Sequence, residues 1–265
     1  MRDLLEFPVE DPADLSGLGE KARDAPQDDA LQVTFALALC RAGCGYQAAR
    51  LLRPRRKIWK GTPDEGDARE AIDAQGWWNK VWREFAQASQ KGDHDVCLEM
   101  LGDRARHFWD FPPLLAHLTK FAIARGEYDL AEHIARRVHW LSQRGVEKIN
   151  MAAFEYGSQE DLIEILWKRG DAKGALDAHR SLSPNPGNAM AYEIQRARLL
   201  VAAGHLDEAM EQTARILLTA RTGRSGYSRE MRIGFVDGAD ELDALRKRPD
   251  WAELYRDPGA WLEAR

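Results

Sequence analysis

A chain of 265 residues is long enough for one or two domains with a substantial core. Apolar residues at 44% and charged residues at 31% place it among folded rather than disordered chains, and a formal charge of −5 argues against a general nucleic-acid binder. No run approaches the roughly 18 apolar residues of a membrane helix, and Cys40, Cys44 and Cys97 are too few and odd in number for a disulfide framework. Reduced thiols and a cytoplasmic location are therefore expected.

Residues 1–27 are acidic, contain Pro and lack the apolar stretch of a secretory signal. They are expected to form an extended arm, packed against the first hairpin by Leu4, Leu5 and Phe7. From residue 28 a phrase recurs. "RAGCGYQAARLL" puts Gly43 five residues before Ala48. Residues 53–76 then read as an insertion, with loop marked by Pro54, Gly61, Pro63 and Gly66 and a short helix in "DAREAIDAQ". "QKGDHDVCLEML" puts Gly92 five before Cys97, and "ARGEYDLAEHIARRV" puts Gly126 five before Ala131. A second insertion is expected near 146–157, where "VEKINMAAFEY" has helical spacing, Gly157 breaks the chain, and Ser158 with Asp161 resembles a capping box. Extra residues at that joint would bend an array between its third and fourth members. "KRGDAKGALDAHRSL" repeats the phrase at Gly170 and Ala175, and "AAGHLDEAMEQTARIL" repeats it at Gly204 and Ala209. The intervals 92 to 126 and 170 to 204 are both 34, and a further 34 reaches Gly238, where Asp243 at the small-residue position marks a degenerate copy. Residues 219–265 should close the array, with Trp251 and Trp261 covering its apolar end.

The phrase has a physical reading as a helical hairpin. Leu114, Leu115, Leu118, Phe121 and Ala122 have helical spacing. Gly126 ends that helix, because Gly takes the left-handed C-cap conformation without strain. Acidic residues then suit the start of the next helix. The small residue five after the Gly lies where the two helices cross closely. Together, the five copies resemble the tetratricopeptide repeat family over residues 28–218. The family's small residue in the middle of the first helix is kept at Ala36 and Ala197 and replaced by Phe85, Thr119 and Ile163. Its closing Pro is mostly absent, with Pro184 and Pro186 the nearest analogues. The resemblance implies an all-α fold: a right-handed superhelical solenoid of five or six antiparallel helix hairpins.

No phosphate-binding Gly loop, GxSxG or HExxH stands in the sequence, so a non-catalytic protein without cofactor is expected. Cys40, Cys44, His94 and Cys97 have the residue types of a Cys3His zinc site. Packing is the better reading, since Gly43 separates the first two and Cys97 occupies the small-residue position. "RPRRKIWK", residues 53–60, is the one dense basic cluster; its bland reading is a solvated loop offset by Asp64, Glu65 and Asp67. "GWWNKVW" holds three of the nine Trp residues, and Trp78 and Trp82 share a helical face. In the resembled family the first helix of each hairpin lines a concave groove that holds extended ligands. Carried over, the groove is Asn79, Trp82 and Arg83 in the second hairpin, and His117, Lys120 and Ile123 in the third. The fourth adds Glu160, Glu164, Trp167 and Lys168, and the fifth Ile194, Gln195 and Arg198. The resemblance thus implies a scaffold or adaptor that binds another protein or an extended peptide, with nucleic acid disfavoured and no membrane. The alternatives are an RNA-binding repeat using residues 53–60, and an enzyme on the same scaffold using Glu160, Glu164 and His117.

Overall fold

The computed structural model describes residues 2–143, 151–182, 189–222 and 227–265, and among them there is helix and no strand. Contacts divide the chain into two compact units, Met1–Leu162 and Ile163–Arg265. In the first unit the helices are α1 (Ala13–Asp24), α2 (Asp29–Arg41), α3 (Gly45–Leu52), the single turn α4 (Arg56–Trp59), α5 (Glu65–Lys91), α6 (His94–Leu101), α7 (Pro112–Ala124) and α8 (Tyr128–Gln143). Helix α9 (Met151–Lys168) begins in the first unit and ends in the second. The second unit continues with α10 (Ala172–Ser181), α11 (Ala189–Ala202), α12 (Leu206–Thr222), α13 (Tyr227–Gly238), α14 (Asp243–Arg246), α15 (Trp251–Arg256) and α16 (Pro258–Glu263).

The five repeated glycines stand between successive helices, all with left-handed φ: +78° at Gly43, +77° at Gly92, +73° at Gly126, +89° at Gly170 and +78° at Gly204. Each turn makes the same two backbone hydrogen bonds. At Gly126, for example, the Gly N–H donates to Ile123 O at 3.0 Å and the Glu127 N–H to Ala122 O at 2.9 Å. This is the Schellman closure, which satisfies two carbonyls that the helix end would otherwise leave unpaired. The small residues five later, Ala48, Cys97, Ala131, Ala175 and Ala209, have no exposed surface. The mid-helix positions Ala36, Phe85, Thr119, Ile163 and Ala197 are likewise buried, so the register holds whether the residue there is small or large.

Four expectations need correction. Residues 1–27 are not merely an extended arm: Arg2–Glu6 form a 3-10 turn and α1 follows. Within the arm Leu4 is buried, but Leu5 is 45% exposed, because the 3-10 turn points successive side chains to different sides. The 53–76 insertion is loop only in part. Arg53–Arg55 is a 3-10 turn leading into α4, and α5 begins at Glu65, so Gly66 and Gly76 lie inside a 27-residue helix. Ala68, Ala71 and Ala74 are buried along α5, and this close-fitting stripe, with Trp78 after it, outweighs the modest cost of helical Gly. Gly157 does not break the chain either; α9 runs through it, and Ser158 donates back to Glu155 O instead of capping a new helix. The rest of that joint, residues 144–150, and the closing prolines Pro184 and Pro186 lie outside the described residues.

The first unit gains a feature the repeat does not contain. After α6, the 3-10 segment Gly102–Phe108 and residues 109–111 return to the first hairpin. Cys44 has no side chain able to cap α3, and Asp110 caps it from a distance, accepting from Tyr46 N at 3.3 Å and Gln47 N at 2.6 Å. Burial pushes the Asp110 carboxyl up to about 7, against the pull of these amides and of Arg137. Gly45 has to be Gly for this approach, since a Cβ there would sit 2.9 Å from the His107 carbonyl. In the second unit α13, α14, α15 and α16 all pack on α12, and Leu254, Pro258 and Trp261 are buried beneath them, while Trp251 is half-buried.

Candidate functional site

Trp78, Trp82, Phe85 and Ser89 recur at helical spacing along α5 and form one stripe. Its lower part packs on α7: Phe85 lies 6.0 Å from the Phe121 ring and 5.6 Å from that of His117, and Ser89 Oγ lies 2.8 Å from His117 Nδ1. His117 is therefore taken up in tying α5 to α7. Burial, and then Lys120, lowers its pKa, so the imidazole is neutral at pH 7. Trp82 stays 46% exposed, flanked by exposed Asn79 and Arg83, and Lys120 is exposed one turn beyond His117. Burial raises the Glu160 pKa while Lys120 lowers it, so Lys120 bears on both His117 and Glu160. In the second unit Glu164, Trp167, Ile194 and Gln195 are half-buried and Lys168 is exposed, its ammonium 5.3 Å from the Trp167 ring. Arg198 is engaged within that unit: its Nε is 3.4 Å from Glu241 and its guanidinium lies 5.3 Å over the Phe235 ring. Of the candidates, Asn79, Trp82, Arg83 and Lys120 keep accessible side chains in the first unit, whereas His117 and Arg198 are largely used in packing.

The basic run folds into a site that its sequence did not disclose. Helix α4 is pinned by Trp59, whose Nε1 donates to Leu52 O at 2.7 Å, and it lies against the first half of α5. Between them is a cleft of about 790 Å³. Arg53 and Arg56 line it from one side, and Arg69, Asp73, Trp77 and Lys80 from α5. Two of the three acids expected to offset the run are engaged by other groups: Asp64 pairs with Arg41 at 2.7 Å, and Glu65 with Arg69 and the Gly61 amide. Arg55 pairs with Asp29 at 2.8 Å. Among the described residues Arg53, Arg56 and Lys80 have no carboxylate partner, although Arg53 donates to Ile72 O at 3.2 Å. The α5 contributors were missed because their spacing from residue 53 has no meaning until α5 is known to extend back to Glu65.

The thiols and their neighbours go to separate places. Cys97 donates to Phe85 O at 3.6 Å, His94 stacks on Phe121 at 4.6 Å, and Cys44 accepts from the Arg137 guanidinium at 3.5 Å. Burial raises all three thiol pKa values, that of Cys40 to about 12, so none is a thiolate at pH 7. Among the described residues no three His, Cys, Asp or Glu side chains gather as metal ligands do, and no helix is long and apolar enough to cross a membrane. Protein-family models, curated proteins and solved structures were compared with the chain, and none matches.

Proposed function

We propose that this chain is a non-catalytic binding protein, built as a right-handed solenoid of tetratricopeptide-like hairpins, that captures an extended segment of another protein. The observation that carries the reading is Trp82, a large aromatic left nearly half exposed on a helix whose neighbouring aromatics, Trp78 and Phe85, are buried. Aromatic side chains with a polar surround are the residues that most often dominate binding energy, and Asn79, Arg83 and Lys120 supply that surround. A groove already built from packed helices needs little ordering when its ligand arrives, so more of the contact energy appears as affinity. Charges at Arg83 and Lys120 would set register and favour an acidic or carbonyl-rich segment.

The test is capture of proteins from native lysate by the immobilised full chain, beside Trp82→Ala with Lys120→Ala. Both side chains are exposed, so helical circular dichroism should be unchanged. Loss of an anchor of this kind weakens binding by about 2 kcal/mol or more, roughly thirtyfold, and the captured bands should disappear. Equal capture by the variant would retire this surface. Capture that vanishes on nuclease treatment would favour the RNA-binding alternative instead.

A further inference from the structure

We infer that the cleft between the Arg53–Trp59 turn and α5 is a nucleotide site, with the phosphate held by Arg53, Arg56 and Lys80 and the base laid against Trp77. The site is independent of the Trp82 surface.

Three features of the cleft point the same way. The first is charge. Arg53, Arg56 and Lys80 converge on one cavity without a carboxylate partner among the described residues, and the lining holds a single acid, Asp73. Like charges gathered on a partly enclosed surface repel one another, and an anion of two or more charges relieves that repulsion. Guanidinium groups present paired donors that match phosphate oxygens, and Lys80 adds a point charge. The second feature is the aromatic wall. Trp77 is half-buried and lines the cleft, while the Arg104 guanidinium, which does not line it, lies 5.1 Å over the ring. A ring so braced offers a fixed surface on which a base can stack. The third is space. The volume of about 790 Å³ falls in the range of small-molecule sites, roughly 300–1,000 Å³. Gly76 borders it from the interior of α5, and the nearest atom to a Cβ placed there is an Arg53 guanidinium nitrogen at 3.7 Å. Asp73 supplies an acceptor for a ribose hydroxyl or a base amino group.

A nucleotide fits this charge distribution better than a polymer does. Cations that bind a nucleic-acid strand follow its backbone as a stripe. Here the charge along α5 is mixed rather than a stripe: Glu65, Asp67 and Glu70 stand among the cations, and the whole chain carries −5. A strand leaving the cleft would meet repulsion, whereas a mononucleotide feels only the cleft. An acidic peptide would use the cations and leave Trp77 without a stacking partner.

Isothermal titration of the full chain tests the site with AMP, GMP, CMP and UMP, and with adenosine, inorganic phosphate, polyglutamate and a short oligouridylate. At least one mononucleotide should bind, and it should bind about tenfold or more tightly than phosphate or nucleoside alone, since each lacks one half of the contacts. Arg56→Ala and Lys80→Ala alter exposed side chains and should each weaken that binding by about tenfold. Trp77→Leu should abolish the preference for nucleotide over phosphate; Gly76→Leu, which places an apolar side chain in the cleft beside the Arg53 guanidinium, serves as a second variant and should weaken nucleotide binding by about tenfold. The proposal is overturned if no mononucleotide binds, if phosphate binds as well as the nucleotides, or if the oligouridylate or polyglutamate binds more tightly than any of them.

Discussion

Gly126 and Gly76 lack the same side chain with opposite consequences. At Gly126 φ is +73° and a Cβ would meet nothing within 4 Å, so only backbone strain opposes a substitution. Gly126→Ala should lower stability by about 1–2 kcal/mol, the cost of the left-handed conformation to a residue with a Cβ. Gly76 sits in mid-helix beside open cleft, and Gly76→Ala should raise stability by about 1 kcal/mol because Ala is the better helix former. Urea midpoints should move in opposite directions for the two variants. Ala175 is fully buried where α10 begins, and Ala175→Leu should cost about 1–3 kcal/mol through overpacking. An unchanged midpoint there would show that no helix crosses closely at that residue. The turn glycines were legible because a sharp helix ending has a strong residue preference. Gly66 and Gly157 are helical instead of marking a loop and a break, because glycine in a helix costs only about 1 kcal/mol, which buried neighbours readily offset.

At the scale of elements, the N-terminal segment is held by α8 and the return segment as well as by the first hairpin, at whose turn Phe7 packs beside Gly43. Three of its carbonyls are occupied: His133 bonds Phe7 O at 2.8 Å, the Trp109 indole donates to Pro8 O at 2.8 Å, and Arg137 donates to Val9 O at 2.9 Å. Arg137 is 1% exposed, also donates to Trp109 O, pairs with Asp11 at 2.9 Å and lies 4.6 Å over the Trp140 ring. A buried guanidinium is costly unless every donor is used, and here one side chain joins α8, the return segment, the α2–α3 turn and the N-terminal segment. Arg137→Leu leaves those acceptors without their donor and should lower stability by about 3–5 kcal/mol. Limited proteolysis should then cleave within residues 2–11, where the parent chain should resist. A variant that unfolds at the parent's urea midpoint and is cut no faster would remove Arg137 from this role. Arg137 reads in sequence as one of two adjacent arginines on an amphipathic helix, and nothing in "ARRV" separates the buried one from exposed Arg136.

At the scale of the whole molecule, the two units carry titrating groups of opposite sign. Asp110, in the first, has its pKa raised to about 7 by burial, and His179, in the second, has its pKa lowered to about 4, first by burial and then by Arg196. The His179 ring stacks on Tyr192 at 4.1 Å. A raised carboxyl binds its proton in the folded state before the unfolded state does, so its contribution is fully present below about pH 4 and is lost as pH rises towards 7. A lowered imidazole works in reverse: its contribution is present above about pH 6.5 and is lost as pH falls towards 4. Between about pH 4 and 6.5 the two slopes oppose each other. Acidification across that window should weaken hydrogen-exchange protection in α10 and α11 relative to α3, once intrinsic rates are corrected. His179→Phe should remove the acid sensitivity of α10 and α11, and Asp110→Asn should leave it in place. Parallel loss of protection in α3 and α10 in the parent chain would contradict these assignments.

What the sequence determined by itself is what local chemistry can decide. The Gly at five turns and the small residue five positions later state where helices end and where they touch, because left-handed backbone and close crossing each admit few residue types. Helical class and turn positions follow from such short-range rules. Other features depend on residues far apart in the chain: Asp110 capping α3, Arg137 holding Val9, and Arg53 and Arg56 meeting Lys80 across a cleft. In each case a charge lies near a partner, or goes without one, because packing of the helices between them brings it there. No spacing along the chain encodes that distance, so only the tertiary structure decided which charges were neutralised and which were left free to bind.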